Sequence, residues 1–275
     1  MEKAILVTGA AGMLGSEAVR AAPKGVRPLP VTRADCDLAE PEHTELLFER
    51  LKPKGVLHCA GFTNVDRAEV AEETAFSDNV EATRSVAAAA RRRGIPMLLV
   101  STDYVFDGAS KRPYREDDRP NPVNVYGRTK LEAEGAARDG IIVRSSWLYG
   151  PRGRHFVAAI LEQASKPEIS VVNDQRGCPT STLELAPVLW ELLLRGVPGI
   201  YHAACEGACT WHELALAIFE TRGAGGPKVV PCATAEFPRP ATRPLMSALD
   251  CGKLAAIRGK RLPHWRDALR RFLMT

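Results

Sequence analysis

Lys3-Ala4-Ile5-Leu6-Val7-Thr8-Gly9-Ala10-Ala11-Gly12-Met13-Leu14-Gly15 is the stretch that decides how this chain folds. An apolar, β-prone run passes directly into Gly-x-x-Gly-x-x-Gly, and a helical pattern follows from about Gly12 to Ala22. A strand, a glycine turn and a helix in that order make a dinucleotide cradle. Small residues let the backbone approach a pyrophosphate, and the helix N-terminus offers oriented N–H groups with partial positive charge. Gly9, Gly12 and Gly15 are therefore the expected cofactor-facing positions.

The same alternation continues downstream. Val26–Val31 reads as a proline-interrupted strand, Pro41 opens a helix to about Leu51, and Gly55–Cys59 is a third strand. An Ala-rich helix over roughly Ala71–Arg93 precedes strands at Met97–Ser101 and Gly140–Arg144. Near-continuous apolar strands at βαβ spacing indicate a parallel sheet covered on both faces. The predicted class is α/β, a doubly wound parallel Rossmann-type sheet with a smaller C-terminal substrate-binding lobe. Residues 1–150 form the expected NAD(P)-binding domain. Residues 151–275, with proline-rich loops such as Phe237-Pro238-Arg239-Pro240, form mainly the substrate lobe, with segments returning to the main sheet. An amphipathic helix at Trp265–Leu273 closes the chain against the core.

Composition narrows the partners. A net charge of +4 with dispersed basic residues gives no nucleic-acid footprint. Arg91-Arg92-Arg93 before Gly94 reads as a helix C-terminus, where cations complement the dipole. No signal-like segment precedes Lys3, and the longest apolar run, near Leu185–Leu194, is broken by Glu191, so a cytoplasmic, membrane-free protein is expected. Seven cysteines, an odd set, point to reduced thiols. His202, Cys205, Cys209 and His212 have a spacing that could be drawn as a zinc site. However, Gly199–Ala203 reads as a strand and Thr210 as a helix N-cap with Glu213 as its capping-box partner, which scatters the four side chains. No metal is expected.

The chemistry-bearing residues are Thr102, Tyr126 and Lys130. Four residues apart on a helix, Tyr126 and Lys130 share a face, and a nearby ammonium favours the phenolate. Such a tyrosine can exchange a proton with a carbonyl. Thr102 follows the fourth strand, at the carboxyl edge where doubly wound sheets bind ligands, and its hydroxyl can hold the same carbonyl oxygen. Cofactor choice is read at the end of the second strand. An acidic residue there favours NAD and an arginine the NADP phosphate. Arg33, with Asp35 and Asp37 just beyond, tips the reading to NADPH, with NADH as the alternative.

These segments, together with Ser101-Thr102-Asp103-Tyr104-Val105-Phe106-Asp107-Gly108, Asn124-Val125-Tyr126-Gly127-Arg128-Thr129-Lys130, Ser146-Trp147-Leu148-Tyr149-Gly150, Asn173-Asp174-Gln175 with Pro179-Thr180, and Arg243-Pro244, resemble the extended short-chain dehydrogenase/reductases. More narrowly, they look like the dTDP-4-dehydrorhamnose reductase family, nearly end to end, including Leu262-Pro263-His264-Trp265-Arg266. That resemblance implies reduction of the 4-keto group of dTDP-4-dehydro-L-rhamnose to dTDP-L-rhamnose, a precursor of bacterial surface polysaccharides. It implies Tyr126 as proton donor, Lys130 as the group that lowers its pKa and binds the nicotinamide ribose, and Thr102 at the keto oxygen. By the same resemblance, Met13 and Leu14 would supply backbone contacts to the cofactor, Asp37 and Leu38 would lie by the adenine, and Ala60 and Gly61 would line the nucleotide. Asp103 and Trp147 would contact the sugar and Arg243 the diphosphate, and His155 and Gln175 would belong to the substrate side. A homodimer is compatible with this family.

Two departures bear on the substrate. His155-Phe156 stands where the family commonly has Asn-Phe, and Met246-Ser247 where an asparagine commonly precedes the serine. His58-Cys59 also replaces a more usual Asn-Ala, as a packing variation. An alternative is thus a reductase or epimerase of another nucleotide sugar. A third reading, of a different class, is a non-catalytic NADP-binding regulatory subunit resembling that of methionine adenosyltransferase. The intact Thr102, Tyr126 and Lys130 set argues against it.

Overall fold

The computed structural model describes residues 2–223 and 225–274. The first half runs β1 (Lys3–Thr8), α1 (Met13–Arg20), β2 (Val26–Val31), α2 (Pro41–Leu51), β3 (Val56–His58), α3 (Val65–Ala68) and α4 (Glu72–Phe76). A π turn (Ser77–Glu81), α5 (Ala82–Arg92), β4 (Met97–Thr102), a 3-10 turn (Asp103–Val105), α6 (Val125–Ala136) and β5 (Ile141–Ser145) follow. The second half adds β6 (Leu148–Tyr149), α7 (Phe156–Leu161), β7 (Glu168–Val172), β8 (Arg176–Gly177), β9 (Thr180–Ser181) and α8 (Thr182–Arg195). It ends with β10 (Gly199–His202), β11 (Cys209–Thr210), α9 (Trp211–Arg222), β12 (Lys228–Cys232), a 3-10 turn (Thr234–Glu236), α10 (Gly252–Arg258) and α11 (Trp265–Leu273).

The main sheet has the order β10-β5-β4-β3-β1-β2, with every pairing parallel. The expected doubly wound α/β architecture is the one observed. Alternation along β1 explains the two-sided cover. Ile5 and Val7 pack into one core with residues of α1 and α8, while Leu6 packs into a second core with residues of α2 and α5. Pro28 and Pro30 remove two ladder donors from β2, which is tolerable because β2 is an edge strand.

The chain returns to this sheet after β6–β9. β10 pairs with β5, and α8 covers the core with Leu185, Leu189, Trp190 and Leu193. The Trp190 indole N–H donates to the Ala18 carbonyl at 2.8 Å, tying α8 to the helix behind the glycine turn. Each such fully buried side chain contributes roughly 1.5–3 kcal/mol. Trp265, Ala268 and Leu269 of α11 are buried in the same core, as the closing helix requires. The smaller pairs β7/β12, β8/β11 and β6/β9 shape the far side.

One expected element differs. The segment 71–93 is not a single α-helix, because the π turn interrupts it and carries Asn79 into the interior. Asn79 accepts from the Phe62 N–H (2.9 Å) and donates to the Phe62 carbonyl (3.2 Å) and the Thr129 hydroxyl (2.9 Å). A π turn absorbs one extra residue into a helix and is frequent at functional sites. Its downstream end behaves as expected, with Gly94 at φ +59° after the arginines. Among the described residues no helix is long and apolar enough to cross a membrane. His202 and His212 spend ring nitrogens on the Tyr114 and Val229 carbonyls, and Thr210 and Glu213 form the capping box.

Candidate active site

The carboxyl ends of β1, β3, β4 and β5 open into a cavity of about 570 Å³. Its lining includes Gly9, Gly12, Met13, Leu14 and Gly15, then Arg33, Asp37, Leu38, Ala60 and Gly61, and finally Thr102, Asp103, Tyr126, Lys130 and Trp147. Residues far apart in sequence thus meet in one space of the size small-molecule sites have.

At one end lies the glycine turn. Gly9 sits at φ +66°, and a Cβ at Gly15 would lie 2.1 Å from the Gly9 carbonyl oxygen, so side chains are excluded there. No acidic side chain occupies the first turn of α1, and Gly12, Met13, Leu14 and Gly15 at its N-terminus line the cavity. A Cβ at Gly61 would meet the Asn79 Oδ1 at 2.6 Å. A backbone this closely walled fits a phosphate-bearing dinucleotide laid over the turn.

His58, assigned to packing by its sequence, links these parts. The Thr83 hydroxyl donates to the Asn79 carbonyl (2.6 Å) and so accepts from the imidazole Nε2 (3.2 Å). That leaves Nδ1 to accept from the Thr8 hydroxyl at 2.8 Å. Burial holds the ring neutral, its pKa pushed down to about 3. The strand end before the glycine turn and the π turn are thereby joined through two buried side chains, His58 and Thr83.

Thr102 ends β4, and its hydroxyl contacts Asp103 Oδ1 (3.1 Å) and hydrogen-bonds the Tyr126 side chain. Tyr126 begins α6 beside Tyr104, ring centroids 5.9 Å apart in an edge arrangement. Burial pushes its phenol up to about 12, with the Thr102 hydrogen bond acting in the opposite direction. Tyr126 is therefore protonated at neutral pH, as a proton donor must be. Lys130 donates to the Val100 carbonyl at 2.8 Å. Burial lowers it to about 8, and Glu134, one turn further along α6, acts to keep it charged. The phenol thus answers to its burial, to Thr102 and to the Asp103 charge, and the lowering expected from the Lys130 charge is not among these influences.

Glu134 is itself held in place. Arg144 on β5 grips it at 2.9 and 2.7 Å, and the Ser101 hydroxyl donates to it at 2.6 Å. Both ions are nearly fully buried, so losing either partner leaves a charge uncompensated, at a cost of about 3–5 kcal/mol. Asp103 is buried too, and desolvation pushes its carboxyl up to about 7 despite hydrogen bonds from Ser247 and Thr102. Its Oδ2 has no partner among the described residues.

Trp147 forms the opposite wall. It adopts φ +48°, an unusual value for a bulky residue, and stacks on Trp211 with centroids 3.4 Å apart and planes within 3°. Gly177 lies behind it, where a Cβ would come within 2.4 Å of the indole. The Trp211 N–H donates to Gln175 Oε1 (3.1 Å), and the Gln175 amide donates to the Thr234 hydroxyl (3.0 Å). Gln175 therefore braces the aromatic wall from behind.

Besides Gln175, two further expected substrate residues stay out of the cavity lining. His155 is the N-cap of α7, accepting from the Ala158 N–H at 3.2 Å, with its ring near Tyr149 and Phe272. Arg243 is paired with Asp66, donates to the Ala241 carbonyl, and hydrogen-bonds the side chain of Tyr104, which does line the cavity. Neither lines the cavity. Conversely, Asn79, Asp78, Trp211 and Arg154 belong to the site or its support and were not legible as such. Only the arginine's basicity and the tryptophan's size offered any signal in the sequence.

Comparison with known proteins shows the family. The chain is 40% identical over 276 residues to dTDP-4-dehydrorhamnose reductase of Streptomyces griseus, covering 96% of this chain and 91% of that protein. It is 38% identical over 275 residues to dTDP-4-keto-6-deoxy-D-glucose reductase of Streptomyces niveus, covering 96% and 94%. The crystal structure of dTDP-4-dehydrorhamnose reductase from Bacillus anthracis str. Ames in complex with NADP superimposes with a TM-score of 0.96 at 32% identity, covering 100% of this chain and 99% of that one. The family described as RmlD substrate binding domain matches residues 2–275, and the chain belongs to that family.

Proposed function

We propose that this protein catalyses NADPH-dependent reduction of the 4-keto group of dTDP-4-dehydro-L-rhamnose, giving dTDP-L-rhamnose for polysaccharide synthesis in the cytoplasm. The observation that carries the reading is the convergence of Thr102, Tyr126 and Lys130 with the glycine turn in one cavity. A bound NADPH supplies the hydride. Tyr126 delivers the proton to the carbonyl oxygen, and Thr102 donates a hydrogen bond to that oxygen as negative charge develops on it. Lys130, charged below about pH 8, stabilises the ribose and the developing phenolate. Trp147 and Asp103 bound the sugar, while Arg33 takes the adenosine end. Residues 1–150 contribute most of the cofactor cleft, and residues 151–275 mainly the substrate wall.

A second reading, reduction of another dTDP-linked 4-ketosugar, is favoured by His155, whose ring caps α7 instead of reaching the cavity, and by the name of the Streptomyces niveus relative. The test is oxidation of NADPH, followed by the absorbance of its reduced nicotinamide, on adding dTDP-4-dehydro-L-rhamnose. Turnover to dTDP-L-rhamnose is expected. Turnover only with a different dTDP-4-ketosugar would move the assignment to the second reading. Tyr126→Phe should bind NADPH normally and turn over about a hundredfold more slowly or worse. A fully active variant would remove Tyr126 from the proton-donor role.

A further inference from the structure

The adenosine end of the cleft carries an arrangement that the reductase chemistry does not use. Arg33, from the loop after β2, reaches across to Asp78 on the π turn and grips both carboxylate oxygens, at 2.5 and 2.6 Å. Both side chains line the cavity. Asp37 adds a second negative charge near the same guanidinium, whereas Asp35 is occupied by the Thr32 N–H and hydroxyl. Arg33 is largely exposed, with 67% of its side chain accessible, while Asp78 is only 16% exposed. The cation is therefore the mobile partner and the carboxylate the fixed one.

This pairing makes two demands on a dinucleotide. A 2′-phosphate competes with Asp78 for the Arg33 Nη1, which both carboxylate oxygens hold. The same phosphate also brings negative charge towards a carboxylate that the π turn holds still. A ribose with a free 2′-hydroxyl meets neither penalty, and a carboxylate is a good acceptor for that hydroxyl. Arg33 alone would favour the phosphorylated cofactor strongly, and Asp78 works against it.

We propose that Asp78 is a specificity-determining residue that tempers the preference of the site for NADPH over NADH by engaging Arg33. The role rests on the cofactor reading above and extends it to a residue outside the glycine turn. The π turn then serves two ends of the site at once, directing Asn79 to the catalytic helix and Asp78 to the adenosine ribose.

The test is direct binding of NADPH and NADH to the purified full chain, by fluorescence titration at low ionic strength and without a sugar substrate. Asp78→Asn should raise the ratio of NADPH to NADH affinity by about three- to fivefold, the scale of a partly exposed ion pair. The effect should shrink in high salt. Arg33→Ala should lower the ratio, and adding Asp78→Asn to it should restore less than the single change gains. Titration with 2′,5′-ADP against 5′-ADP repeats the comparison without the nicotinamide. Should Asp78→Asn fail to fold, Asp78→Ser carries the same expectation. An unchanged ratio, with both dinucleotides bound, would overturn the role of Asp78 alone. A wild-type chain that binds neither dinucleotide would overturn the cofactor reading itself.

Discussion

Replacing Asp103 with Asn should stabilise this protein at alkaline pH while harming its chemistry. The Asp103 carboxyl is 2% exposed, and its pKa rises from the ordinary 3.8 to about 7, mainly through desolvation. Between those two values the folded chain holds a proton that the unfolded chain has lost. Stability therefore falls as pH rises through that window, and the penalty is complete above about pH 7. At about 1.4 kcal/mol for each factor of ten in the ionisation constant, the ionised carboxylate costs roughly 4 kcal/mol at pH 8. That figure is an upper bound on what a substitution can recover. Asn keeps the shape and an acceptor for Thr102 and Ser247 but carries no charge, so Asp103→Asn should gain about 2–4 kcal/mol at pH 8. At pH 4, where the native carboxyl is protonated in the fold, the two proteins should agree within about 1 kcal/mol. Urea denaturation at both pH values measures this directly. A variant that is no more stable at pH 8, or whose gain is the same at pH 4, would refute the reasoning. An accompanying loss of turnover would mark the carboxylate as one kept for function at the expense of stability.

Two further outcomes follow from the same geometry. The pH profile of kcat/KM, which reports the free enzyme, should fall above about pH 8 as Lys130 loses its proton, with Tyr126 contributing nothing to that limb because it stays protonated to about 12; a profile flat to about pH 10 would contradict this. Gly177→Ala should displace Trp147, since the new methyl would lie 2.4 Å from its ring, raising KM for the sugar nucleotide by about tenfold with dinucleotide affinity little changed; an unaltered KM would show that the indole wall does not touch substrate.

The glycine turn, the apolar β1 run before it and the Tyr126/Lys130 spacing were legible because each depends on local chain geometry. The strands at Met97 and Gly140, and the capping box at Thr210, were readable for the same reason. The π turn was not. Ala71–Arg93 is Ala-rich and reads as helix, with Ser77-Asp78-Asn79 as a weak stretch inside it, and there Asn79 bonds to Phe62 and Thr129, partners that the helical pattern does not display. His58 posed a similar difficulty. Its residue type suggested packing, and only the placing of β3 with Thr8 on one side and Thr83 on the other makes it a link between β1 and α5. Arg243 and His155 could be placed by resemblance, but their present bonds are to Asp66 and to the α7 backbone. Charge pairs and caps of this kind are set by tertiary neighbours that a single sequence does not display.

The bond from the Trp190 indole to the Ala18 carbonyl spans 172 residues, and β10 completes the edge of the sheet from an equally late position. On the ribosome, the glycine turn and its helix emerge first but lack the helix that packs over them until residue 195 has been made. The cofactor cradle is thus an early sequence with a late structure. A nascent chain halted near residue 150 would expose the apolar face of α1 and an unpaired β5 edge, a surface that invites chaperones and self-association in place of NADPH. Synthesis of α8 and β10 is, in this sense, the step that licenses the nucleotide site.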